Sequence, residues 1–265
     1  MRSKKVMVVV LCALLLFSVL AITDVSLGQQ KALADEATFY STTADGQLWG
    51  SHADYGTAHD TAFSMIDGDY LSIGQTNVSG SYRIYRSAVF FDTSSLPDDV
   101  YILAATLSLV GYSDDSDTDF DITVVNGSSL IPPLALSDYG LLRSQTISGG
   151  AFNTSGFMTA YFDIQLNADG IGWISKTGMT KLGLRSSRDI NANADFPNAR
   201  ESLSVLSSQF VDGEAYSPKL VVTYYIPPTS VPTMSQWGMI GMGIVLAAAL
   251  VWSVRRRLVV SAGKS

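Results

Sequence analysis

An acidic run is the densest group of side chains in this sequence that could do chemistry. It reads Asp114-Asp115-Ser116-Asp117-Thr118-Asp119-Phe120-Asp121. Alternating carboxylates in a loop suit Ca²⁺, which takes roughly six to eight hard oxygen ligands from flexible backbone. The run lacks the glycine and the distal glutamate of an EF-hand loop. It therefore predicts either a structural calcium site at Asp114, Asp115, Asp117, Asp119 and Asp121 or a solvated acidic hairpin without metal.

The two histidines of the chain, His52 and His59, lie close in sequence to Asp54 and Asp60. Such a set could ligate zinc, although two solvated loop residues explain the pattern more simply. The sequence contains no Gly-x-Ser-x-Gly elbow, no phosphate-binding loop and no His-Glu-x-x-His motif. We therefore predict that the protein is not an enzyme and holds no cofactor other than the structural calcium just considered.

A polysaccharide-degrading enzyme stays open as an alternative. A glycosidase needs two carboxylates at a defined separation, and Asp163 and Glu201 are the pair that we considered. Nothing in the sequence brings these two residues together. Release of reducing sugar by the wild type, but not by Asp163→Ala or Glu201→Ala, would reveal this activity.

Sugar binding requires exposed aromatic rings beside polar hydrogen-bonding groups. Trp49 and Tyr55 lie in a segment rich in Gly, Ser and Asp, which predicts a loop. These two residues are our candidate ligand-binding residues. Core or cross-strand packing is the alternative for both, because most aromatic residues of sheet proteins pack in that way.

The central part of the chain is strongly acidic. Residues 35–231 contain 23 Asp and Glu against 9 Lys and Arg, a net charge of −14, whereas the whole chain carries −7. A domain of this charge will not bind nucleic acid by neutralising its phosphates. Asp and Gly are abundant, and both residues favour turns over helices.

Short apolar or alternating runs with turn-rich segments between them predict an all-β domain. The runs are Ser87–Phe91, Ala105–Val110, Phe120–Val125, Ala160–Ile164, Leu203–Leu206 and Lys219–Tyr225. Frequent strands of this kind are typical of a β-sandwich or barrel. One short helix is expected after Asp169, which could cap a turn through Ile171 and Trp173.

A resemblance to a known family narrows this fold class. Arg86-Ser-Ala-Val-Phe-Phe-Asp92-Thr-Ser-Ser-Leu96-Pro97, Leu182-Gly-Leu-Arg185 and Ser217-Pro218-Lys219 resemble segments of DNRLRE-type domains. The resemblance implies a jelly-roll-like antiparallel β-sandwich, similar to carbohydrate-binding modules, over nearly all of residues 35–226. The Asn-Arg-Leu-Arg string of the family is absent, and the family supplies no catalytic residue.

The N-terminus has the pattern of a secretory signal peptide. Arg2, Lys4 and Lys5 precede an apolar run from Val6 to Ile22. Ala32-Leu33-Ala34 suits a signal peptidase, so we place the signal peptide at residues 1–34, with cleavage after Gly28 or an uncleaved anchor as alternatives. The only cysteine, Cys12, lies within that run, and the mature domain must be held by its core rather than by disulfides.

The C-terminus predicts a membrane segment. Residues 239–254 are apolar apart from Ser253, and Arg255, Arg256 and Arg257 follow as a stop-transfer signal. This pattern predicts a transmembrane helix over 239–254 and a cytoplasmic basic tail over 255–265. A buried core helix is the alternative.

The linker before this segment, residues 227–238, contains Val231-Pro232-Thr233-Met234-Ser235-Gln236-Trp237-Gly238. Together with the apolar segment and the arginines, it resembles the IPTL-CTERM sorting tails, relatives of the tails that exosortases process. The resemblance implies a sorting motif at Val231, Pro232, Thr233, Met234, Trp237 and Gly238. Pro232 would keep the cleavage region out of the helix, and Trp237 would favour the headgroup level. A plain membrane anchor is the alternative.

These patterns predict an exported protein of the cell envelope, held in the membrane before its tail is processed. Its expected partners are signal peptidase, an exosortase-like enzyme, the membrane and a polysaccharide. A structural or adhesive surface protein that binds other proteins is the alternative to sugar binding. Ordered multimers of the purified protein without sugar would favour that alternative.

Overall fold

The computed structural model describes residues 34–195, 200–210, 215–227 and 236–262. The chain separates after residue 227 into two compact units. The predicted signal peptide, apart from Ala34, lies outside the described residues. The same holds for Val231 to Met234 of the predicted sorting motif.

The first unit is built from strands, as the alternating apolar runs predict. The twelve strands are β1 (Asp35–Tyr40), β2 (Gly46–His52), β3 (Ser64–Ile66), β4 (Tyr70–Val78), β5 (Ser81–Asp92), β6 (Tyr101–Asp114), β7 (Asp121–Asn126), β8 (Gly150–Asn153), β9 (Tyr161–Gln165), β10 (Met179–Ser186), β11 (Arg200–Leu206) and β12 (Lys219–Tyr225). Four of the six runs proposed from the sequence lie within one of them, and the other two begin one residue early, at Phe120 before β7 and at Ala160 before β9. The all-β prediction is confirmed.

The strands form one curled antiparallel sheet in which β6 has a central position. The order is β1-β12-β6-β11-β4-β5-β10-β7-β8, while β9 also pairs with β6, β2 with β5, and β3 with β2. The first part of β6 pairs with β12 and β9, and its last residues pair with β11. A single strand of 14 residues therefore joins two parts of the sheet. The result is a sandwich-like arrangement.

Two hydrophobic clusters fill the interior. The larger cluster takes inward side chains from most strands, including Ile73 of β4, Phe91 of β5 and Leu107 of β6. The smaller one packs Leu48 and Phe90 against Tyr139. Along β5 the two clusters alternate, because successive residues of a strand point to opposite faces: Val89 and Phe91 belong to the larger cluster, and Ala88 and Phe90 belong to the smaller one.

Four short helices connect the strands: α1 (Tyr55–Asp60), α2 (Asp138–Arg143), α3 (Ala168–Gly172) and α4 (Ser187–Ile190). Helix α3 confirms the helix expected near Asp169, but its cap is Asn167. Asn167 Oδ1 accepts from the N–H groups of Asp169 at 2.9 Å and Gly170 at 3.1 Å. Asp169 instead occupies the first turn, where a negative charge is favoured.

The acidic run does not close a hairpin. It connects β6 to β7, but β6 pairs with β9, β11 and β12, whereas β7 pairs with β8 and β10. The hairpin interpretation is therefore wrong: this segment crosses between strands that are not neighbours. The strand before it also continues to Asp114, four residues beyond the Val110 expected from the sequence.

The second unit consists of helix α5 (Gln236–Ala262). It covers residues 239–254 and continues through the three arginines, and the Arg256 guanidinium lies 4.7 Å from the ring centroid of Trp252. In the part of the chain that the structure describes, no helix is long and apolar enough to cross a membrane. The predicted transmembrane helix over 239–254 is thus present as a helix but is not supported as a membrane span.

Candidate functional site

A polar cleft of about 420 Å³ lies where β4, β5 and β11 meet. Its lining consists of Ser72, Thr76, Val78, Ser79, Ser81, Arg83, Tyr85, Asp115, Arg200, Ser202 and Ser204. Nine of these eleven side chains are Ser or Thr hydroxyls or charged groups, and the other two are the aromatic Tyr85 and the apolar Val78. This volume falls in the range of protein pockets for small ligands, roughly 300–1,000 Å³.

The strand register sets the spacing of the hydroxyl groups. Ser72 on β4 lies opposite Ser204 on β11, and their Oγ atoms are 3.1 Å apart. Ser72 is also fixed through its backbone, because its N–H donates to Gln47 Oε1 at 2.6 Å and its carbonyl accepts from Ser87 Oγ at 2.6 Å. Ser72 and Ser204 are therefore held on paired strands rather than on a loop.

Gly74 allows the two strands to approach each other beside the cleft. Its φ is +126°, a backbone conformation that other residues rarely adopt. A Cβ at this position would lie 2.1 Å from the carbonyl oxygen of Glu201 on β11. Only glycine therefore fits between Ser72 and Thr76 without moving β11.

The basic residues of the cleft differ from every other basic residue of the domain. Residues 35–231 contain nine lysines and arginines, of which seven have partners. Four arginines form ion pairs: Arg86 and Arg185 with Asp189, Arg143 with Asp60, and Arg188 with Glu201. Lys176 and Lys181 donate to backbone carbonyl oxygens. The ammonium group of Lys219 lies over the ring of Tyr161. Among the described residues, the side chains of Arg83 and Arg200 have no ion pair or hydrogen bond. Both line the cleft, where Asp115 is the one acidic side chain.

Tyr85 provides an aromatic wall, and Trp49 supports it. Trp49 on β2 is paired in register with Tyr85 on β5, and their ring centroids are 6.4 Å apart. Trp49 also packs against Phe63 at 6.4 Å. The structure thus places Trp49 on a strand, not in the expected loop, and beside the cleft rather than in its lining.

Tyr55 lies elsewhere and has a structural role. It starts α1, stacks on His59 with ring centroids 5.7 Å apart, and donates its hydroxyl to Gln75 Oε1 at 3.2 Å. Burial raises the pKa of the Tyr55 hydroxyl above its ordinary value. A partly buried, partnered ring is poorly placed to stack on a sugar, so Tyr55 is not part of the candidate site.

A buried ion cluster holds the helices on the sheet. Asp189 of α4 accepts from Arg86 Nη2 at 2.6 Å and from Arg185 Nε at 2.6 Å. Burial by itself would raise the pKa of Asp189, but the hydrogen bonds and charges of Arg86 and Arg185 outweigh it and lower that pKa. Because each of these groups is fully partnered, we assign the cluster a structural role.

The aspartates of the acidic run do not converge on one point. Asp114 accepts from the N–H of Ser116 at 2.9 Å, Asp117 from the N–H of Arg200 at 2.7 Å, and Asp121 from Asn153 Nδ2 at 2.8 Å. Asp119 accepts from Thr154 Oγ1 at 3.2 Å. Within the described ranges, no group of three His, Cys, Asp or Glu side chains is arranged to hold a metal. The geometry gives the calcium hypothesis no support, and the same finding applies to zinc at the histidines.

The two candidate glycosidase carboxylates are far apart along the sheet. Asp163 lies opposite Ser108 of β6, whereas Leu203, two residues after Glu201, lies opposite Asp114. Ser108 and Asp114 are six residues apart, or about 20 Å along an extended strand. Glycosidase carboxylates are about 5–10 Å apart. Glu201 is also buried, with Arg188 Nε 3.0 Å from its Oε2.

The comparisons with known proteins give no further identification. The chain matches no protein-family model, and none of the curated proteins shows significant similarity to it. The candidate site therefore depends on the geometry alone.

Sequence reasoning missed most of this site. No motif in the sequence identifies Ser72, Arg83, Arg200 or Ser204. A usable signal was present in Ser81-Tyr82-Arg83-Ile84-Tyr85, an alternation that places Arg83 and Tyr85 on the same side of a strand.

Proposed function

We propose that this chain is an exported cell-envelope protein whose β-sandwich domain binds polysaccharide in the cleft between β4, β5 and β11. The observation that carries the proposal is the set of lining groups. Ser and Thr hydroxyls both donate and accept hydrogen bonds, as a sugar's own hydroxyls require. Tyr85 offers an aromatic face beside them.

Arg83 and Arg200 define the kind of polysaccharide. A guanidinium presents a planar fork of donors that matches a carboxylate or a sulfate. Neither arginine has a side-chain partner among the described residues, although acidic side chains outnumber basic ones in residues 35–231. We therefore propose a glycan that carries acidic groups, such as a polyuronate.

Retention of the purified full-length protein on a panel of polysaccharides tests this proposal. The panel contains a polyuronate, a sulfated glycan and a neutral glucan. We expect binding to the acidic members, and about tenfold weaker binding for Arg83→Gln combined with Arg200→Gln. Arg143→Gln is the matched control, because Arg143 is a partly exposed arginine that pairs with Asp60 outside the cleft. No retention on any member would refute polysaccharide binding.

We further propose that the C-terminal segment directs the protein to the envelope through its sorting motif and is then processed or kept as an anchor. This part rests on the sequence, since Val231 to Met234 lie outside the described residues. We also propose the jelly-roll topology that the family resemblance implies. The antiparallel sheet is compatible with that topology.

A further inference from the structure

Two exposed tyrosines form a second aromatic surface next to the cleft. Tyr70 and Tyr112 stack with ring centroids 5.5 Å apart and an interplanar angle of 4°. They are 44% and 53% exposed. Exposed aromatic surface is unfavourably hydrated, and a ligand that covers these rings would remove that surface from water.

The strand register places this pair at one end of the cleft. Tyr70 precedes Ser72 by two residues on β4, so both point to the same side of the strand, about 7 Å apart. Tyr70 lies opposite Leu206 of β11, whereas the cleft residue Ser204 lies opposite Ser72. Tyr112 lies on β6, next to Ser113, which is the β6 partner of Ser204.

We infer that the Tyr70–Tyr112 pair is an outer subsite, which extends the cleft so that the protein recognises an internal stretch of a glycan chain rather than a single terminal sugar. The inference rests on the proposed function. Although the two rings stack on each other, 44% of Tyr70 and 53% of Tyr112 stay exposed, which leaves ring surface for a sugar. Polar contacts in the cleft would fix one part of the chain while the tyrosines contact sugar units further along.

Chain-length dependence of binding tests this subsite. The probe is a ladder of uronic acid oligosaccharides from disaccharide to octasaccharide, titrated into the full-length protein by calorimetry. For the wild type we expect affinity to rise by about tenfold or more as the ladder lengthens. For Tyr70→Ala combined with Tyr112→Ala we expect the short members to bind as in the wild type, without the rise.

Two variants control for damage to the fold. Tyr70→Phe combined with Tyr112→Phe keeps both rings, so its affinity should still rise with the length of the oligosaccharide. Tyr101→Ala combined with Tyr225→Ala removes another stacked pair, with centroids 5.1 Å apart, at the far end of β6. That variant should bind like the wild type.

The outcomes separate the two proposals. If short and long oligosaccharides bind the wild type equally, or if the Tyr70 and Tyr112 double variant keeps the rise, the subsite is wrong and the cleft proposal stands. If no member of the ladder binds, polyuronate binding fails and the subsite fails with it, while polysaccharide binding as such is refuted by the absence of retention on the whole panel.

Discussion

Asp45 is an unusual residue in this molecule, because its carboxyl is buried with no cation beside it among the described residues. It is 1% exposed, and its Oδ1 accepts from the N–H of Phe90 at 3.0 Å. Within the described residues, Oδ2 of Asp45 and Oγ of the neighbouring Ser41 have no well-aligned hydrogen bond. Burial raises the pKa of Asp45 to about 7, and polar contacts with Ser41, Ser208 and Phe90 offset only part of this effect.

This carboxyl makes stability depend on pH. The unfolded chain releases the proton near the ordinary value of 3.8 and the folded chain near 7, so the folded form binds more protons between these values. The free energy of unfolding therefore falls as pH rises through that window, by at most about 4 kcal/mol. We expect Asp45→Asn to remove this fall and to be more stable than the wild type at pH 8, as urea unfolding at pH 5 and pH 8 would measure. An unchanged pH profile in the variant would contradict the assignment.

Asp189 shows the opposite case, a buried carboxylate that is fully paired. Asp189→Asn should lower the free energy of unfolding at pH 7 by about 3–5 kcal/mol, because it leaves Arg86 and Arg185 buried without a counterion. Asp60→Asn is the control, since Asp60 is 55% exposed in its pair with Arg143 and should cost at most about 1 kcal/mol. Thermal and urea unfolding of both variants give the comparison, and equal effects would argue against the buried cluster.

At the level of single residues, the sequence indicates which types could bind sugar but not where they lie. Trp49 and Tyr55 are six positions apart in the same turn-like segment, yet Trp49 lies next to the cleft wall, whereas Tyr55 begins α1 and stacks on His59. The partners that decide this are Tyr85 and Gln75, which are distant in the chain. Long-range pairing of this kind leaves no local pattern.

At the level of elements, Gly74 determines how closely β4 and β11 pair. Gly74→Ala would strain a backbone with φ of +126° and place a Cβ against the carbonyl of Glu201. We expect the free energy of unfolding to fall by about 1–3 kcal/mol from backbone strain, and further from the Cβ contact, together with weaker glycan binding. Gly140→Ala in α2 is the control, because no atom lies within 4 Å of its Cβ position.

Helix propensity predicts that Gly140→Ala raises stability by about 0.5–1 kcal/mol. Denaturant unfolding and affinity for a polyuronate should be measured for both glycine variants. If Gly74→Ala folded and bound like the wild type, the close approach of the two strands would not matter for the site.

The strands that the sequence predicts are those with apolar runs, such as β5, β6 and β12. The sequence does not predict strands β2 and β4, because glycine and polar residues weaken their strand pattern. These strands read Gly46-Gln-Leu-Trp-Gly-Ser-His and Tyr70-Leu-Ser-Ile-Gly-Gln-Thr-Asn-Val. The same polar residues make β4 part of the cleft. Of the three strands that line the cleft, the sequence therefore predicts β5 and β11 but not β4.

At the level of the whole molecule, export and sorting form one testable prediction. Pro232→Ala combined with Trp237→Ala should keep the protein at full tail length in the membrane fraction of its native host, because the motif no longer presents the tail for processing. We expect the wild type to lose its tail near Thr233. Intact mass and cell fractionation measure both outcomes, and a wild type that keeps its tail would mean that the motif is not a sorting signal.

Strand β12 has a mechanical consequence for a domain attached at its C-terminal end. It lies between β1 and β6 and pairs with both along its length, and its last residues lie beside Asp35 at the start of β1. A pull applied to Tyr225 along the strand axis opposes both of these rows of hydrogen bonds. The hydrogen bonds to both neighbours are then loaded in parallel, in shear, rather than opened one at a time. The topology suits a domain that must hold a polymer under tension.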